Sequence, residues 1–555
     1  MDIRVPAVAL LAVGQAALAQ PVPSAGGQLK QIPPVVAVPK AAPDIRIDSE
    51  PPAALRETTT EASFAVVAVR ITGATIFSEA ELIAATGFRP GPQSKLADLR
   101  AMASRITEFY NTRGYFVARA YVPAQDLAGG TVTLAVIEGR YDKVEVRNSS
   151  RLKTAAADRI LRGVDQDDVV ANAPLERRLL ILSDTPGIAV KSTLAPGAAV
   201  GTSDLLVDVT PGRRFAGSAE FDNAGNRYTG YFRAGGSVSF ANPLGLGDEV
   251  LLRGLVSDRG LTYVRGAYQA PVAGVTLGVA YARLDYRLHR EFRALDAHGS
   301  ADIASLYASY PLVRSYNHNL NALAGVDFKF FNDAIDSVGA VSSKRSQVGF
   351  AGVSGDARDK LGGGGSSFYS LVFSGGALDI RTPAVRFVDD LMARSNGGFG
   401  KVNLAVGRSQ ALGGPLSLYV SARGQLATGN LDISEKMELG GAYAVRAYPE
   451  GEAYGDQGYV ATAELRLDLA TLSRQVPGDV QLFGFVDNGG VTFNRDRYAI
   501  GRNHANLTGA GAGVSWAANG GFLVKASYAH RLGDTRVVSQ PDHAGRFWFQ
   551  LVKLF

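Results

Sequence analysis

From Phe215 to Phe555 the chain is a succession of strand-length segments in which apolar and polar residues alternate, broken by Gly, Asn and Asp turns. Leu416, Leu418, Val420 and Ala422 alternate with Ser417, Tyr419, Ser421 and Arg423. Ala461, Ala463, Leu465 and Leu467 alternate with Thr462, Glu464, Arg466 and Asp468. A period of two sends the two sets to opposite faces of a strand. The wet face carries charges, which is unusual for a soluble sandwich. It suits a cylinder with lipid outside and water inside. Sixteen such segments follow one another from 215–222 to 547–555. An even number lets both ends meet on one side, and closure satisfies backbone groups that lipid cannot. The expectation is a membrane all-β fold: a 16-stranded antiparallel transmembrane β-barrel over 214–555. No stretch reaches the ~18 apolar residues of a spanning helix.

Composition agrees with that class. The 555 residues include 64 Gly, 25 Phe, 21 Tyr and no Cys. Abundant Gly and aromatics suit a large barrel with aromatic girdles, and the lack of Cys excludes a disulfide scaffold and thiolate chemistry. The net charge of +5 comes without any Lys/Arg run, so no nucleic-acid partner is assigned. The six His are scattered, with no H-E-x-x-H pair and no G-x-S-x-G elbow. Gly362-Gly-Gly-Gly-Ser366 lacks the Lys of a phosphate loop. No catalytic residue, metal site or cofactor is therefore assigned, and the chain is not read as an enzyme.

Ahead of the barrel the sequence divides into four parts. Residues 1–19 read as a secretory signal, with an apolar core at Val5–Val13 and an A-x-A site at Ala17–Ala19. Residues 20–62 are rich in Pro, Ala and Thr and read as a flexible leader. Residues 63–141 read as a compact β-α-α-β-β unit. Its first helix opens with the capping box Ser78–Glu81, and Leu96, Leu99, Ala103, Ile106 and Tyr110 share one face of its second. Residues 142–213 repeat the plan.

Two further stretches stand out. Strands eleven and twelve are joined by a long Gly-rich loop, 430–458, holding Val445-Arg446-Ala447-Tyr448; Phe485-x-Asp487-x-Gly489 follows one strand later. Parity places Phe483, Phe485 and Asp487 on the lumen side, opposite Leu482 and Val486. From spacing alone, Arg446 and Asp487 are either a bidentate pair or two separately solvated charges. The pair of motifs resembles the loop tip (V-R-G-[FY]) and wall motif (F-x-D-x-G) of the outer-membrane polypeptide-transport superfamily, whose Arg meets the Asp. Ala447 departs from the usual Gly, and would strain the tip if a positive φ is needed there.

Further motifs narrow the resemblance. Tyr110-x-x-x-Gly114-Tyr115, Tyr121-Val122-Pro123-x-Gln125 and Val136-Ile137-Glu138-Gly139 resemble a POTRA domain, and 142–213 resembles a second. Asp222-Asn223-Ala-Gly225, Thr229-Gly230, Asn242-Pro243 and Gly247-Asp248 are similar to the entry strands of the two-partner secretion translocators, the TpsB family of haemolysin and filamentous-haemagglutinin secretors. The resemblance spans residues 64 to 555. It implies two periplasmic POTRA domains that bind an unfolded exoprotein and a barrel that secretes it across the outer membrane of a Gram-negative bacterium, with some pore activity as a by-product. A client would add as a strand along an exposed POTRA edge; Tyr115, Tyr121, Val122, Glu138 and Gly139 are the candidate contacts. Read instead as a mere spacer, the POTRA pair would touch no client. The family also implies a short plug helix within 20–62, a loop tip (Val445, Arg446, Ala447, Tyr448) tethered to the wall (Phe485, Asp487, Gly489), and a C-terminal Phe555 read by the barrel-assembly machinery. The expected partners are the client, that machinery and outer-membrane lipid, with the protein a monomer. The alternative reading is a barrel-assembly factor of the same superfamily.

Overall fold

The computed structural model describes residues 23–33, 44–47, 63–126, 129–469 and 477–555. The expected export signal at 1–19 lies outside them.

Sixteen antiparallel strands close into a barrel in chain order. They run from Phe215–Asp222 through Leu416–Ala427 (eleventh), Gln457–Asp468 (twelfth) and Asp479–Thr492 (thirteenth) to Gly545–Leu554. Alternation does what the sequence leads one to expect. Leu252, Val264, Leu277, Val279, Leu306 and Phe373 stand exposed on the outer wall, while Glu220, Arg253, Lys401, Glu464 and Asp487 are buried inside. The first and last strands register over Ser218–Asp222 against Gln550–Leu554. Phe555 extends that seam, exchanging backbone hydrogen bonds with Gly217 at 3.0 and 3.1 Å.

The first small unit packs helices Glu79–Thr86 and Leu96–Thr112 on a three-stranded sheet. Ala68–Thr72 lies parallel to Thr131–Ile137, which pairs with Arg119–Tyr121 at the edge. The capping box forms: Ser78 Oγ accepts from the Glu81 amide, and the Glu81 carboxylate accepts from the Ser78 amide at 2.9 Å. Leu82, Leu99, Ala103, Ile106 and Tyr110 make the buried stripe against Val132, Leu134 and Val136. A strand between the helices, Gly91–Ser94, pairs with Phe64–Val66; its Gly-Pro sequence carries no alternation and gave no signal. The second unit sets helices Thr154–Leu161 and Asn172–Asp184 against strands Arg140–Asn148, Ile188–Pro196 and Thr202–Pro211.

The leader departs from the flexible reading at two places. Ala25–Lys30 is a helix seated against the inner wall, with Ala25 buried among Tyr228, Leu255, Leu284 and Phe331. Asp44–Ile47 is a strand lying parallel to Ile188–Pro196, so the sheet of the second unit has four strands. Neither stretch is long enough to show a period. Tertiary seats order them.

Candidate functional site: the loop tip and the barrel wall

The loop 430–458, which follows strand eleven and is the sixth on its side of the barrel, folds back into the bore. Its stem is a short ribbon, Met437–Leu439 against Ala453–Gly455. Gly440 and Gly441 then turn the chain at φ values of 107° and 96°, which glycine alone adopts without strain. The Glu450 carboxylate closes the turn by accepting from the Ala442 amide at 2.8 Å. Below the turn, Leu439, Ala444, Val445, Ala447 and Tyr448 are buried against Phe483, Phe485, Val491 and Leu507 of the wall. The tip is thus an apolar plug with one charge in it.

That charge is Arg446. Its Nε donates to Asp487 Oδ2 at 2.7 Å and its Nη2 to Asp487 Oδ1 at 2.8 Å, a two-point fork. Its backbone amide adds a third bond to Oδ2 at 3.2 Å. The remaining Nη1 donates to Glu464 Oε1 at 2.7 Å, and the guanidinium lies over the Phe485 ring, 3.4 Å from its centroid. Asp487 also accepts from Thr462 Oγ1 at 2.9 Å, and Glu464 from Arg466 at 2.7 Å. Arg446, Asp487 and Glu464 are 5%, 0% and 4% exposed. In so dry a seat each charge depends on its partners, since desolvation is repaid only by good geometry. The reading of two separately solvated charges is excluded.

Parity could place Asp487, but it could not supply Glu464, Thr462 or Trp548. Register brings them together: Thr462 stands opposite Asp487 and Glu464 opposite Phe485. Trp548 Nε1 donates to the Arg446 carbonyl at 2.7 Å, and Tyr448 Oη to the Thr535 carbonyl at 2.9 Å. The Gly489 of the wall motif has a steric role, because a Cβ there would collide with Leu439. Ala447 has no positive φ, so the anticipated strain is absent; its methyl faces Gly509, where a Cβ would strike it.

The loop base and leader meet the same wall. Lys329 and Lys401 both pair with Glu435, at 2.6 and 2.7 Å, and Lys344 pairs with Asp432 at 2.6 Å. In the leader, the Ala25 amide donates to Asp333 at 2.8 Å and Thr229 Oγ1 to Gln28 at 2.8 Å. Arg233 and Arg253 donate to the carbonyls of Gln31 and Pro33 at 2.8 and 2.7 Å. Gln31 Nε2 reaches Tyr454 of the loop stem at 2.7 Å, joining the two inserted segments.

The candidate client contacts divide. Tyr121 is 47% exposed on the edge strand of the first unit, with Val122 half-buried beside it. Tyr115 is half-buried, edge-on to Phe77 and Tyr110. Glu138 and Gly139 are corrections, being buried and committed to the fold. The Glu138 carboxylate accepts from the amides of Thr75 and Ile76 at 2.7 and 2.8 Å, from the Thr75 hydroxyl, and from Tyr110 Oη at 2.9 Å. Burial pushes its pKa up, but the Thr75, Ile76 and Tyr110 donors outweigh that and hold it below the usual value. Gly139, at φ 78°, passes close under Val117. Phe555 lies at the seam, half exposed.

A closed sixteen-stranded barrel, entered through small α/β units and holding a surface loop pinned to its inner wall, has the build of an outer-membrane polypeptide transporter. Residues 201–516 match the family described as haemolysin secretion/activation protein ShlB/FhaC/HecB, and residues 64–139 match the ShlB-type POTRA domain; the chain belongs to this family. It is 28% identical over 472 residues to the heme/hemopexin transporter protein HuxB of Haemophilus influenzae, covering 84% of this chain and 82% of the relative. It is 26% identical to the outer membrane transporter CdiB of Escherichia coli O6:K15:H31, covering 81% and 76%. Among solved structures, CdiB from Escherichia coli superposes with a TM-score of 0.72 at 21% identity, over 92% of this chain and 93% of that one. BamA from Haemophilus ducreyi lacking POTRA domains 1–3 gives 0.52 at 14%, over 89% and 100%, a likeness of fold. The protein is accordingly a two-partner secretion transporter of the Gram-negative outer membrane, with periplasmic POTRA domains, that works with a secreted exoprotein.

Proposed function

We propose that the Arg446–Asp487–Glu464 cluster is the latch of this transporter, and that secretion requires it to hold the sixth loop in one working position. The observation that carries the reading is the two-point fork that the loop tip makes on a fully buried carboxylate of the wall. The export signal at 1–19 delivers the chain to the periplasm, where Phe555 presents it to the barrel-assembly machinery. It then works as a monomer. A client strand docks on the POTRA edge near Tyr121 and Val122, and the chain passes through the bore once the leader helix yields. Folding of the client outside drives export, and no catalytic step is involved.

The test compares proteins released or displayed by cells with and without this chain. Loss of one large exported protein, restored by the wild-type chain but not by Arg446→Ala, supports the reading. General loss of many outer-membrane barrels would assign the chain to barrel assembly instead.

A further inference from the structure

A cavity of about 2090 Å³ lies between the second POTRA domain and the first barrel strands. It is larger than the ~300–1,000 Å³ of small-molecule pockets. Nine Arg and Lys side chains line it against three carboxylates, Asp184, Glu249 and Asp356. Those three are already engaged: Asp184 with Arg314 at 2.6 Å, Glu249 with Gln269 at 2.9 Å and Asp356 with Asn319 at 3.0 Å. The side chains of Arg159, Arg162, Arg178, Arg213 and Arg265 make no hydrogen bond or ion pair among the described residues. Arg265 also stands directly opposite Arg253 across neighbouring strands, and like charges so placed oppose the pairing. The described residues offer these five side chains no partner, whereas Arg253 is already held by Glu220 at 3.1 Å and by the Pro33 carbonyl at 2.7 Å. A concave space with low-dielectric walls and charge of one sign concentrates counter-charge from solution.

We propose that this vestibule is a binding site for an acidic, extended polypeptide segment, and that the transporter selects clients carrying spaced Asp and Glu near the part that enters first. The proposal rests on the transporter reading and deepens it. Position supports it, because Ile188–Lys191 of the POTRA sheet form one wall and the lumen-facing Arg253 and Arg265 another. A chain moving from the periplasm into the bore crosses between them. Arg253 and Arg265 alternate with the outward Leu252 and Val264, so they face away from lipid. This favours a polypeptide over a lipid headgroup as the occupant. Guanidinium groups take carboxylates bidentately, which suits recognition of side chains on an otherwise variable strand.

The test uses the full-length protein in detergent and two labelled, unstructured Gly/Ser peptides of about 20 residues, long enough when extended to cross the cavity. One carries Asp and Glu at every third position and the other Lys. Anisotropy should show the acidic peptide binding at least about tenfold more tightly, a difference of ~1.4 kcal/mol. That preference should fade between ~0.01 and ~1 M salt as screening shortens the field. The variant Arg162→Gln/Arg178→Gln/Arg213→Gln/Arg265→Gln should lose it, while Arg265→Gln alone loses part. A charge-matched control, Arg290→Gln/Arg293→Gln/Arg381→Gln/Arg394→Gln, should keep it. Heat-modifiable migration of the barrel confirms folding of each variant. Equal binding of both peptides, or equal loss in the control, overturns the proposal. So does a quadruple variant that binds the acidic peptide normally yet loses affinity for phosphatidylglycerol vesicles relative to phosphatidylcholine vesicles. None of these results touches the transporter reading, which fails only if no exported protein depends on the wild-type chain.

Discussion

Replacing Arg446 with Ala removes every side-chain bond of the fork and leaves Asp487, which is wholly buried, with the Thr462 hydroxyl and one backbone amide. Glu464 fares better, since Arg466 still pairs with it at 2.7 Å. The cost therefore falls mainly on Asp487. Removing one member of a buried pair typically costs ~3–5 kcal/mol. At about 1.4 kcal/mol per power of ten, the docked loop loses roughly two to three and a half powers of ten against the undocked one. The barrel itself keeps its closed ladder, so insertion should change little. The assay is protease cleavage at the loop stem in intact cells, read beside secretion of the cognate client and heat-modifiable migration of the barrel. Arg446→Ala should become cleavable and fail to secrete, with the folded-barrel band preserved. Arg446→Lys should be nearly as poor, because a point charge cannot reproduce the fork. Arg466→Ala is the contrast: its side chain is 25% exposed, and loss of such a pair is worth ~0–1 kcal/mol. Full protection and normal secretion in Arg446→Ala would refute the reasoning.

Gly509→Ala should loosen the loop through its clash with Ala447, at ~1–3 kcal/mol for overpacking. Adding Ala447→Gly should restore protease protection. Gly26→Val in the leader helix, whose Cβ would come within 2.9 Å of Ser434 Cβ, should unseat the helix and raise single-channel conductance in planar bilayers. For Glu138 the folded pKa lies below its ordinary value, so its stabilisation is complete above the unfolded pKa of ~4.3 and is lost as pH falls through the lower folded value. Hydrogen exchange in the first POTRA domain of the full-length protein should show acid loosening that is weaker in Glu138→Gln, which begins less protected at neutral pH. Deleting Phe555, which ends the seam on Gly217, should lower the yield of folded barrel.

The barrel was legible because its signal is repeated: sixteen alternating segments correct one another, and closure demands an even count. The small units were legible through a capping box and one helical stripe. Legibility failed where order comes from a seat rather than from the segment. Ala25–Lys30 holds two Gly and spans six residues, too few for an isolated helix, and is fixed by Asp333, Thr229 and the wall. Asp44–Ile47 is four residues long and exists as a strand only beside Ile188–Pro196. Glu138 was misread because a turn motif around a carboxylate does not reveal whether the carboxylate faces solvent or four donors of its own domain.

The candidate site sits between these cases, and Ala447 explains why. A glycine in a motif can answer a backbone demand or a space demand, and sequence does not distinguish them. Had the demand at the tip been for a left-handed backbone, alanine would carry strain that no neighbour could relieve. The tip takes an ordinary φ at 447, so the demand is for room. Room is a property of two surfaces, and the opposite surface supplies it through Gly509, a residue 62 positions along the chain and two strands on. Gly489 gives the same room to Leu439. The wall is relieved at both of these contacts, and that apolar fit brings Arg446 within bonding distance of Asp487.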